Sequence, residues 1–231
     1  MHIIFTRVGL EEIGPIKRSS VERTKKYCQL WLKCSSAFYT AQTKAAPFMV
    51  AIQYSPRYEG VVRSFTWPEW VKLTTHIRMF EFVNQEKLAG QRVLMSRLDA
   101  DDSYSVNFFE ALETEPAGLL LHKRFKQFNM ATGELTAEMH RNAPHFATLI
   151  FDQLPSTLVW EDTAGIDNNH KHLEKFPHRE LGGCFCLERV TGFNVGNFWK
   201  HIDLVRRGKI TAATNPVKSS LELDPSFVGY R

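Results

Sequence analysis

Short apolar runs alternate with helical patterns over the first half of the chain. Residues 3–6, 48–52 and 93–95 are apolar without alternation, which is typical of strands buried on both faces of a sheet. Between the first two runs, apolar residues recur every three or four positions, as they do on one face of a helix. That face comprises Tyr27, Cys28, Trp31, Cys34 and Phe38. Alternation of strand and helix predicts a parallel sheet covered by helices.

Three places in this half carry helix-start signals. Residues 19–22 and 66–69 each match a capping box, in which a hydroxyl and a carboxylate bond the first helical amides. The second box predicts a helix that begins there and covers residues 70–75. Asp102 is placed to cap a further helix. Residues 77–83 fit a helix and a strand equally well.

The second half has shorter runs and more turn residues. Residues 125–130 and 135–138 flank a hairpin signal. The further predicted strands are residues 145–151, 158–160 and 184–188. We therefore expect an α/β fold in a single domain, with a mostly parallel half (1–102), a partly antiparallel half (103–207) and a C-terminal tail (208–231).

Composition and charge exclude several classes of protein. The 231 residues are 43% hydrophobic and 23% charged, which excludes collagen-like, coiled-coil and wholly disordered chains. The net charge of +4 is spread along the chain, so no nucleic-acid partner is expected. Cys184 and Cys186 are predicted core residues rather than half of a zinc site. No apolar run is long enough to span a bilayer, and the N-terminus lacks signal-peptide features, which predicts a cytoplasmic protein without an integral membrane segment.

Three carboxylates follow the third apolar run: Asp99, Asp101 and Asp102. In open α/β sheets, ligands bind beyond the carboxyl ends of the strands. Two carboxylates about 5 Å apart repel by roughly 3 kcal/mol at an effective dielectric constant near 20, so such a cluster is either solvated or holds a cation. Mg²⁺ or Mn²⁺ takes one or two carboxylates and completes its sphere with phosphate oxygens and water. The alternative is a surface turn in which Asp102 serves only as a helix cap.

The segment Arg97-Leu98-Asp99-Ala100-Asp101-Asp102 resembles the Asp-x-Asp motif of GT-A glycosyltransferases, and more narrowly a bacterial and viral family of rhamnosyltransferases. Further similar stretches occur in a consistent order along the chain. They are residues 3–7, 26–28, 41–43, 48–52 and 169–173. The resemblance implies a GT-A (nucleotide-diphospho-sugar transferase) fold, in which a mixed, mostly parallel sheet is flanked by helices. It also implies that residues 1–102 bind the nucleotide sugar and residues 103–207 the acceptor.

The resemblance further implies roles for individual residues at the donor site. Asp99, Asp101 and Asp102 would bind a divalent metal together with the ribose and diphosphate of the donor. Thr6 and Arg7 would line the nucleotide pocket, and Arg97 would lie next to the diphosphate, where a planar cation suits phosphate oxygens.

A late histidine completes the metal sphere in many GT-A enzymes. His170 fits the resemblance best and His172 is a close substitute, because the two side chains share one face of an extended segment. The alternative is a solvated loop, given the neighbouring Asn168 and Asn169.

Inverting glycosyl transfer needs a general base that takes the proton of the acceptor hydroxyl. Asp162 is the first candidate, because Glu161-Asp162 follows a predicted strand and resembles the paired acids of inverting GT-A enzymes. Asp152, after the preceding predicted strand, is the second candidate. For either residue alone, the alternative is an ordinary polar loop.

The expected function is a metal-dependent, inverting glycosyltransferase. It would move a hexose or deoxyhexose, with rhamnose as a candidate, from a nucleotide-diphosphate sugar to a glycan acceptor. One alternative is a metal-dependent nucleotidyltransferase or phosphodiesterase, which would normally use a second metal about 4 Å away and further carboxylates. The other alternative is a non-catalytic carbohydrate-binding domain of the same fold.

Overall fold

The computed structural model of the chain describes residues 1–9, 21–43, 46–130, 134–141, 146–167 and 170–190. The strands are β1 (His2–Gly9), β2 (Phe48–Tyr54), β3 (Val71–Thr74), β4 (Val93–Asp99), β5 (Ser103–Tyr104), β6 (Gly118–Leu121), β7 (Arg124–Asn129), β8 (Glu134–Leu135), β9 (Met139–His140), β10 (Ala147–Phe151), β11 (His178–Glu180) and β12 (Cys186–Val190). The α-helices are α1 (Val21–Leu30), α2 (Ser36–Thr40), α3 (Glu59–Arg63), α4 (Met79–Gln85), α5 (Phe108–Leu112) and α6 (Trp160–Asp167). A π-helical segment (Trp31–Ser35) joins α1 to α2, and 3₁₀ turns span Pro56–Tyr58 and His170–Lys175.

The central sheet has seven strands in the order β11-β6-β10-β4-β1-β2-β3. Strands β1 to β4 are mutually parallel, whereas β10 runs antiparallel to its neighbours β4 and β6. The predicted α/β class, a mixed and mostly parallel sheet flanked by helices, is confirmed. The order β3-β2-β1-β4 places the reversal of strand order between β1 and β4, where open α/β sheets form a ligand crevice.

The first strands are buried on both faces, as predicted. In β1, Ile4 packs into a hydrophobic cluster with Trp31 and Phe38, whereas Ile3 packs into a second cluster with Phe82 of α4. The segment from α1 to α2 therefore covers one face of the sheet, and α4 covers the other. The predicted helical face is also confirmed, since Cys28, Trp31, Cys34 and Phe38 are fully buried.

A second sheet, with the order β5-β12-β7-β8, lies in the second half of the chain, and β9 pairs with β7. The predicted hairpin is confirmed by the antiparallel pairing of β7 with β8. Strand β12 pairs antiparallel with β5 and parallel with β7, so it joins segments that are distant in sequence. Cys186 is buried as predicted, whereas Cys184 precedes β12 and is half-buried.

Three predicted elements are wrong. The helix predicted to begin after Asp102 does not begin there, because Ser103 and Tyr104 form β5 and α5 starts at Phe108. Residues 71–74 form strand β3 rather than a helix, because Val71–Thr74 pairs in parallel with β2 and the backbone N–H of Val71 donates to the carbonyl of Pro68 in a turn. Residues 158–160 are not a strand, since Leu158 and Val159 lie in no regular element and Trp160 begins α6. The undecided segment 77–83 contains the start of α4.

Other predictions fall outside the described residues. These are the hydroxyl end of the first capping box at Ser19 and Ser20, the side chain of His170, residues 191–207 and the tail 208–231. Within the described ranges, no helix has the length and apolar character needed to cross a bilayer.

Candidate functional site

The parallel strands bring several sequence-predicted residues to one edge of the central sheet. Arg7 pairs with Asp99 in the register between β1 and β4, so the carboxyl ends of these strands lie side by side. We call this part of the sheet, formed by the ends of β1, β2 and β4, the carboxyl edge. Thr6 is one residue earlier and is fully buried beside the Tyr39 phenol, so it belongs to the core and does not line the edge as predicted.

The segment Asp99-Ala100-Asp101-Asp102, called the acidic turn below, links β4 to β5. The backbone N–H of Asp102 donates to the carbonyl of Asp99 at 3.1 Å, which closes the turn. From the helical side, the Ser35 hydroxyl donates to the carbonyl of Ala100 at 3.1 Å. The turn is thus held in place by the backbone and by a side chain of the π-helical segment.

The second sheet holds the acidic turn from the other side. The carboxylate of Asp102 accepts a hydrogen bond from the backbone N–H of Arg189 at 3.0 Å. The Arg189 guanidinium donates to the carbonyl of Asp101 at 3.2 Å and also to the Ser103 hydroxyl. Asp102 is therefore not the helix cap of a surface turn, because its carboxylate bonds β12 and it is only 3% exposed.

Asp101 is the least satisfied carboxylate of the turn. It is 4% exposed, and its Oδ2 accepts no hydrogen bond from any described residue. Burial, reinforced by the charge of Asp99, raises the pKa of Asp101 to about 8. Burial and the neighbouring Asp101 also raise the pKa of Asp102 well above its usual range. Because an unpaired buried charge costs free energy, a cation at this position would offset that cost.

The donor set suits a cation that is shared with a ligand. Among the described residues, no three His, Cys, Asp or Glu side chains are arranged to hold a metal ion. Asp99 and Asp101 offer two carboxylates, which is the number that Mg²⁺ commonly takes from a protein when phosphate and water supply the remaining ligands. His172 is exposed in the 3₁₀ segment and forms no such group with the acids. Of the predicted metal ligands, Asp99 and Asp101 are therefore the two whose carboxylates are available at the turn, Asp102 is bonded to β12, and the side chain of His170 lies outside the described residues.

Positive charge lies beside these acids. The Nε of Arg7 donates to the side-chain carbonyl of Gln53 on β2 at 3.4 Å. Burial, together with the charge of Arg97, lowers the pKa of Arg7 to about 10, while Asp99 and Asp167 act in the opposite direction. Arg97 itself is buried in β4. The structure therefore brings the two predicted donor-site arginines together at the carboxyl edge.

Sequence reasoning missed Glu188. This residue of β12 is 3% exposed, and its carboxylate accepts hydrogen bonds from the Gln127 amide at 2.6 Å and from the Arg141 guanidinium at 3.1 Å. Its charge adds to the causes that raise the pKa of both Asp101 and Asp102. A single acid in a short strand gives no local signal, so Glu188 was not identifiable without the pairing of β12 with β7.

Helix α1 adds a further missed group, Tyr27. Burial raises the pKa of its phenol, and the charges of Asp101 and Asp99 act in the same direction, so the ring lies near the acidic turn. The Arg23 guanidinium donates to the Tyr27 hydroxyl at 3.3 Å. The spacing of four residues on a helix is the only sequence signal for this pair.

The two predicted general bases have partners of their own in the structure. Strand β10 pairs Ala147 with Arg97 and Phe151 with Val93, so Asp152 lies beside the start of β4, at the opposite edge of the sheet, where it bonds Arg92. Asp162 is exposed in the first turn of α6 and accepts a hydrogen bond from the backbone N–H of Val159 at 2.8 Å. Its carboxylate thus caps the start of its own helix, α6.

Comparison with known proteins gives distant similarities. No family model and no curated protein matches the chain. Among solved structures, the chain is similar to S. aureus TarS 1–349, with 12% identity, a TM-score of 0.40 and 93% of this chain covered. It is similar to S. aureus TarS with 11% identity, a TM-score of 0.38 and 93% covered. The chain spans 66% and 40% of the lengths of these two proteins.

A third similar structure is a protein assigned as a glucose-1-phosphate thymidylyltransferase from Bacillus anthracis in complex with a sucrose. It has 12% identity and a TM-score of 0.32, and the similarity covers 89% of this chain and 94% of the other. Similarities of this size do not assign a function, so function is inferred from the geometry of the carboxyl edge.

Proposed function

We propose that this protein is a metal-dependent glycosyltransferase that moves a hexose or deoxyhexose from a nucleotide-diphosphate sugar to a hydroxyl of a glycan. The observation that carries the proposal is the buried Asp101, whose Oδ2 has no described hydrogen-bond partner, next to Asp99 and Arg7. A buried carboxylate oxygen without a described partner favours a cation, whereas the neighbouring guanidinium groups favour an anion. A divalent cation bound together with a diphosphate satisfies both requirements.

The donor would lie at the carboxyl edge, where β1 and β4 meet. Asp99 and Asp101 would hold the divalent cation, which when bound supplies positive charge to the departing diphosphate. Arg7 and Arg97 would bind phosphate oxygens and orient the diphosphate, since planar guanidinium groups match that geometry. Asp102 would position Asp101 through its bond to the backbone of Arg189.

The acceptor hydroxyl needs a proton acceptor, and Glu188 is the carboxylate that the second sheet brings towards the acidic turn. Its hydrogen bonds to Gln127 and Arg141 fix its orientation. Its electrostatic influence on Asp101 supports a position near the reacting centre. Glu188 therefore takes the role that the sequence had suggested for Asp162 or Asp152.

Replacement of Asp101 tests the proposal. Asp101→Asn keeps the shape of the side chain but removes the charge that would hold the cation. We expect binding of nucleotide sugars in the presence of Mn²⁺ to fall by more than about 100-fold, with a melting temperature that is unchanged or higher, because the charge costs stability without a cation. Binding is measured by calorimetry over a panel of nucleotide sugars, and the control is Glu69→Gln, at an exposed position outside the carboxyl edge.

The same panel separates this proposal from its rivals. Turnover that releases a nucleoside diphosphate supports glycosyl transfer, whereas release of pyrophosphate would indicate nucleotidyl transfer. Binding without turnover of any donor, with or without glycan acceptors, would indicate a carbohydrate-binding domain. A large loss of stability in Asp101→Asn with intact donor binding would show that the acidic turn is structural.

A further inference from the structure

Asp167, a buried carboxylate outside the acidic turn, connects the second half of the chain to the carboxyl edge. It is the last residue of α6 and is 5% exposed. Its two oxygens accept hydrogen bonds from the backbone N–H of Met79 at 3.1 and 2.9 Å, and one of them accepts from the Thr163 hydroxyl at 3.0 Å. Asp167 and Met79 are 88 residues apart, so only the tertiary fold creates this contact.

The position of Asp167 suits α4 rather than its own helix. A carboxylate at a helix C-terminus opposes the dipole of that helix, whereas a carboxylate at an N-terminus is stabilised. Asp167 ends α6 but bonds the first residue of α4. Arg78, the N-cap residue of α4, makes no side-chain capping bond of its own. Asp167 therefore caps α4 from a neighbouring helix.

Helix α6 contacts Arg78 in two ways. Asp167 bonds the backbone of the next residue, Met79, and so fixes the turn that carries Arg78. At the other end of α6, the ring of Trp160 lies under the Arg78 guanidinium, with 4.3 Å between the guanidinium carbon and the ring centroid. A cation over an aromatic face is attracted to it. One helix thus orients both the backbone and the side chain of an exposed arginine.

Arg78 belongs to the charged group at the carboxyl edge. Gln53 joins the turn that carries Arg78 to Arg7, because its side-chain carbonyl accepts from the Nε of Arg7 at 3.4 Å and its amide donates to the carbonyls of His76 and Ile77, each at 3.0 Å. The charges of Arg97, Asp99, Asp167 and Arg78 all act on the pKa of Arg7. Arg7, Arg78 and Arg97 thus lie within electrostatic reach of one another and of two carboxylates, Asp99 and Asp167. Because like charges repel and phosphate oxygens pair well with guanidinium groups, this arrangement favours binding of a further anion.

We propose that Asp167 is a positioning residue for the donor: through Met79 it sets the turn that carries Arg78, and Arg78 binds phosphate oxygens of a nucleoside diphosphate together with Arg7. The proposal rests on the proposed function, since it names a further part of the same donor site. It differs from a purely structural cap, because the effect of Asp167 on binding is exerted through Arg78.

A double-mutant cycle tests this coupling, with uridine diphosphate and other nucleoside diphosphates as probes in the presence of Mn²⁺. We expect Asp167→Ala and Arg78→Ala each to weaken binding about tenfold, as for loss of a hydrogen bond to a charged group. The double variant should also lose about tenfold rather than about 100-fold, because the two residues act in sequence. Asp167→Asn still offers an oxygen to the Met79 N–H, so it should bind as tightly as the wild type or more tightly. Glu161→Ala, at an exposed position of the same helix, is the matched control.

The outcomes separate this proposal from the proposed function. A lower melting temperature for Asp167→Ala with unchanged binding by the folded protein would show a purely structural cap and overturn the proposal. Additive losses in the double variant, or an Asp167→Asn variant as weak as Asp167→Ala, would also overturn it. If the wild type binds none of the nucleoside diphosphates, the proposed function fails together with this proposal. If it binds them and the variants behave as the wild type does, only this proposal fails.

Discussion

Single residues at the carboxyl edge differ in how far the sequence predicts them. Asp99 and Asp101 were identifiable because carboxylates directly after a buried apolar run are expected at the ligand edge of a parallel sheet. Asp167 and Glu188 were not identifiable from the sequence, since their hydrogen bonds to Met79 and Gln127 join residues that are 88 and 61 positions apart. Thr6 shows where the family resemblance and the structure differ, because the resemblance implies a residue that lines the pocket, whereas the side chain of Thr6 is fully buried in the core.

Replacement of Glu188 separates proton transfer from donor binding. Glu188→Gln keeps hydrogen-bonding capacity at this position but cannot accept a proton. We expect the rate of glycosyl transfer to fall by about 10²- to 10⁴-fold, the usual contribution of a general base, with nucleoside-diphosphate affinity within about threefold of the wild type. Transfer is measured by release of the diphosphate at saturating donor and acceptor, with Glu180→Gln, an exposed residue of the other sheet, as the control. An unchanged rate would exclude Glu188 as the base.

Two buried histidines make the stability of the protein sensitive to acid. His2 and His122 are linked through hydroxyl groups, with 2.7 Å from His2 to Ser96, 2.6 Å from Ser96 to Thr148 and 3.0 Å from Thr148 to His122. Burial lowers the pKa of each histidine to about 3. In the unfolded chain their pKa is near 6.5. The unfolded state therefore binds more protons below that pH, and acid favours unfolding.

The contribution of these two histidines to the free energy of unfolding should therefore be constant above about pH 6.5. It should fall as the pH drops towards 3, with a combined slope of up to about 2.7 kcal/mol per pH unit. Urea unfolding at a series of pH values measures this slope. His122→Gln should roughly halve it, whereas His140→Gln, at an exposed position, should leave it unchanged. A slope that is the same in all three proteins would contradict the prediction.

At the scale of elements, the hydrophobic pattern predicted the strands and helices that have a clear period. It failed where tertiary packing determines whether a segment is a helix or a strand. Residues 66–69 match the capping-box pattern, which predicts a helix. The following residues instead pair with β2, because this strand offers them the open edge of a parallel sheet. The preceding loop is fixed by aromatic packing, since the Trp31 ring lies 5.4 Å from that of Trp67 and 5.8 Å from that of Trp70. No local pattern of residues 66–75 contains that information.

Trp31 should therefore stabilise both the π-helical segment and the loop that leads into β3. We expect Trp31→Ala to lower the free energy of unfolding by about 3–5 kcal/mol, as for other large-to-small changes at fully buried aromatic residues. Val21→Ala, at a residue that is 58% exposed, should change it by less than about 0.5 kcal/mol. Both values come from chemical denaturation, and equal effects of the two substitutions would contradict the packing described here.

At the scale of the whole molecule, the parallel class of the first half was predictable although β3 was not, whereas only the β7–β8 hairpin of the second sheet was predictable. Alternating strands and helices leave few arrangements for β1 to β4, because crossovers between parallel strands are right-handed and usually short, although here β4 returns to pair with β1 rather than with β3. The second sheet joins short strands out of sequence order, with β12 between β5 and β7. The proposed site draws on both parts, since β4 ends at the acidic turn and β12 supplies Arg189 and Glu188.

The cysteines give this arrangement a practical consequence. Burial raises the pKa of Cys28 to about 12 and that of Cys186 well above its usual range, and Cys34 is also buried, whereas Cys184 is half-buried. Since the thiolate is the reactive form, maleimide should modify Cys184 first in the native protein, as peptide mass mapping would show. Equal labelling of all four cysteines would contradict this. A fluorophore attached there would lie just ahead of the strand that holds the acidic turn, so a change in its emission on addition of Mn²⁺ or a nucleotide would report binding at that turn directly.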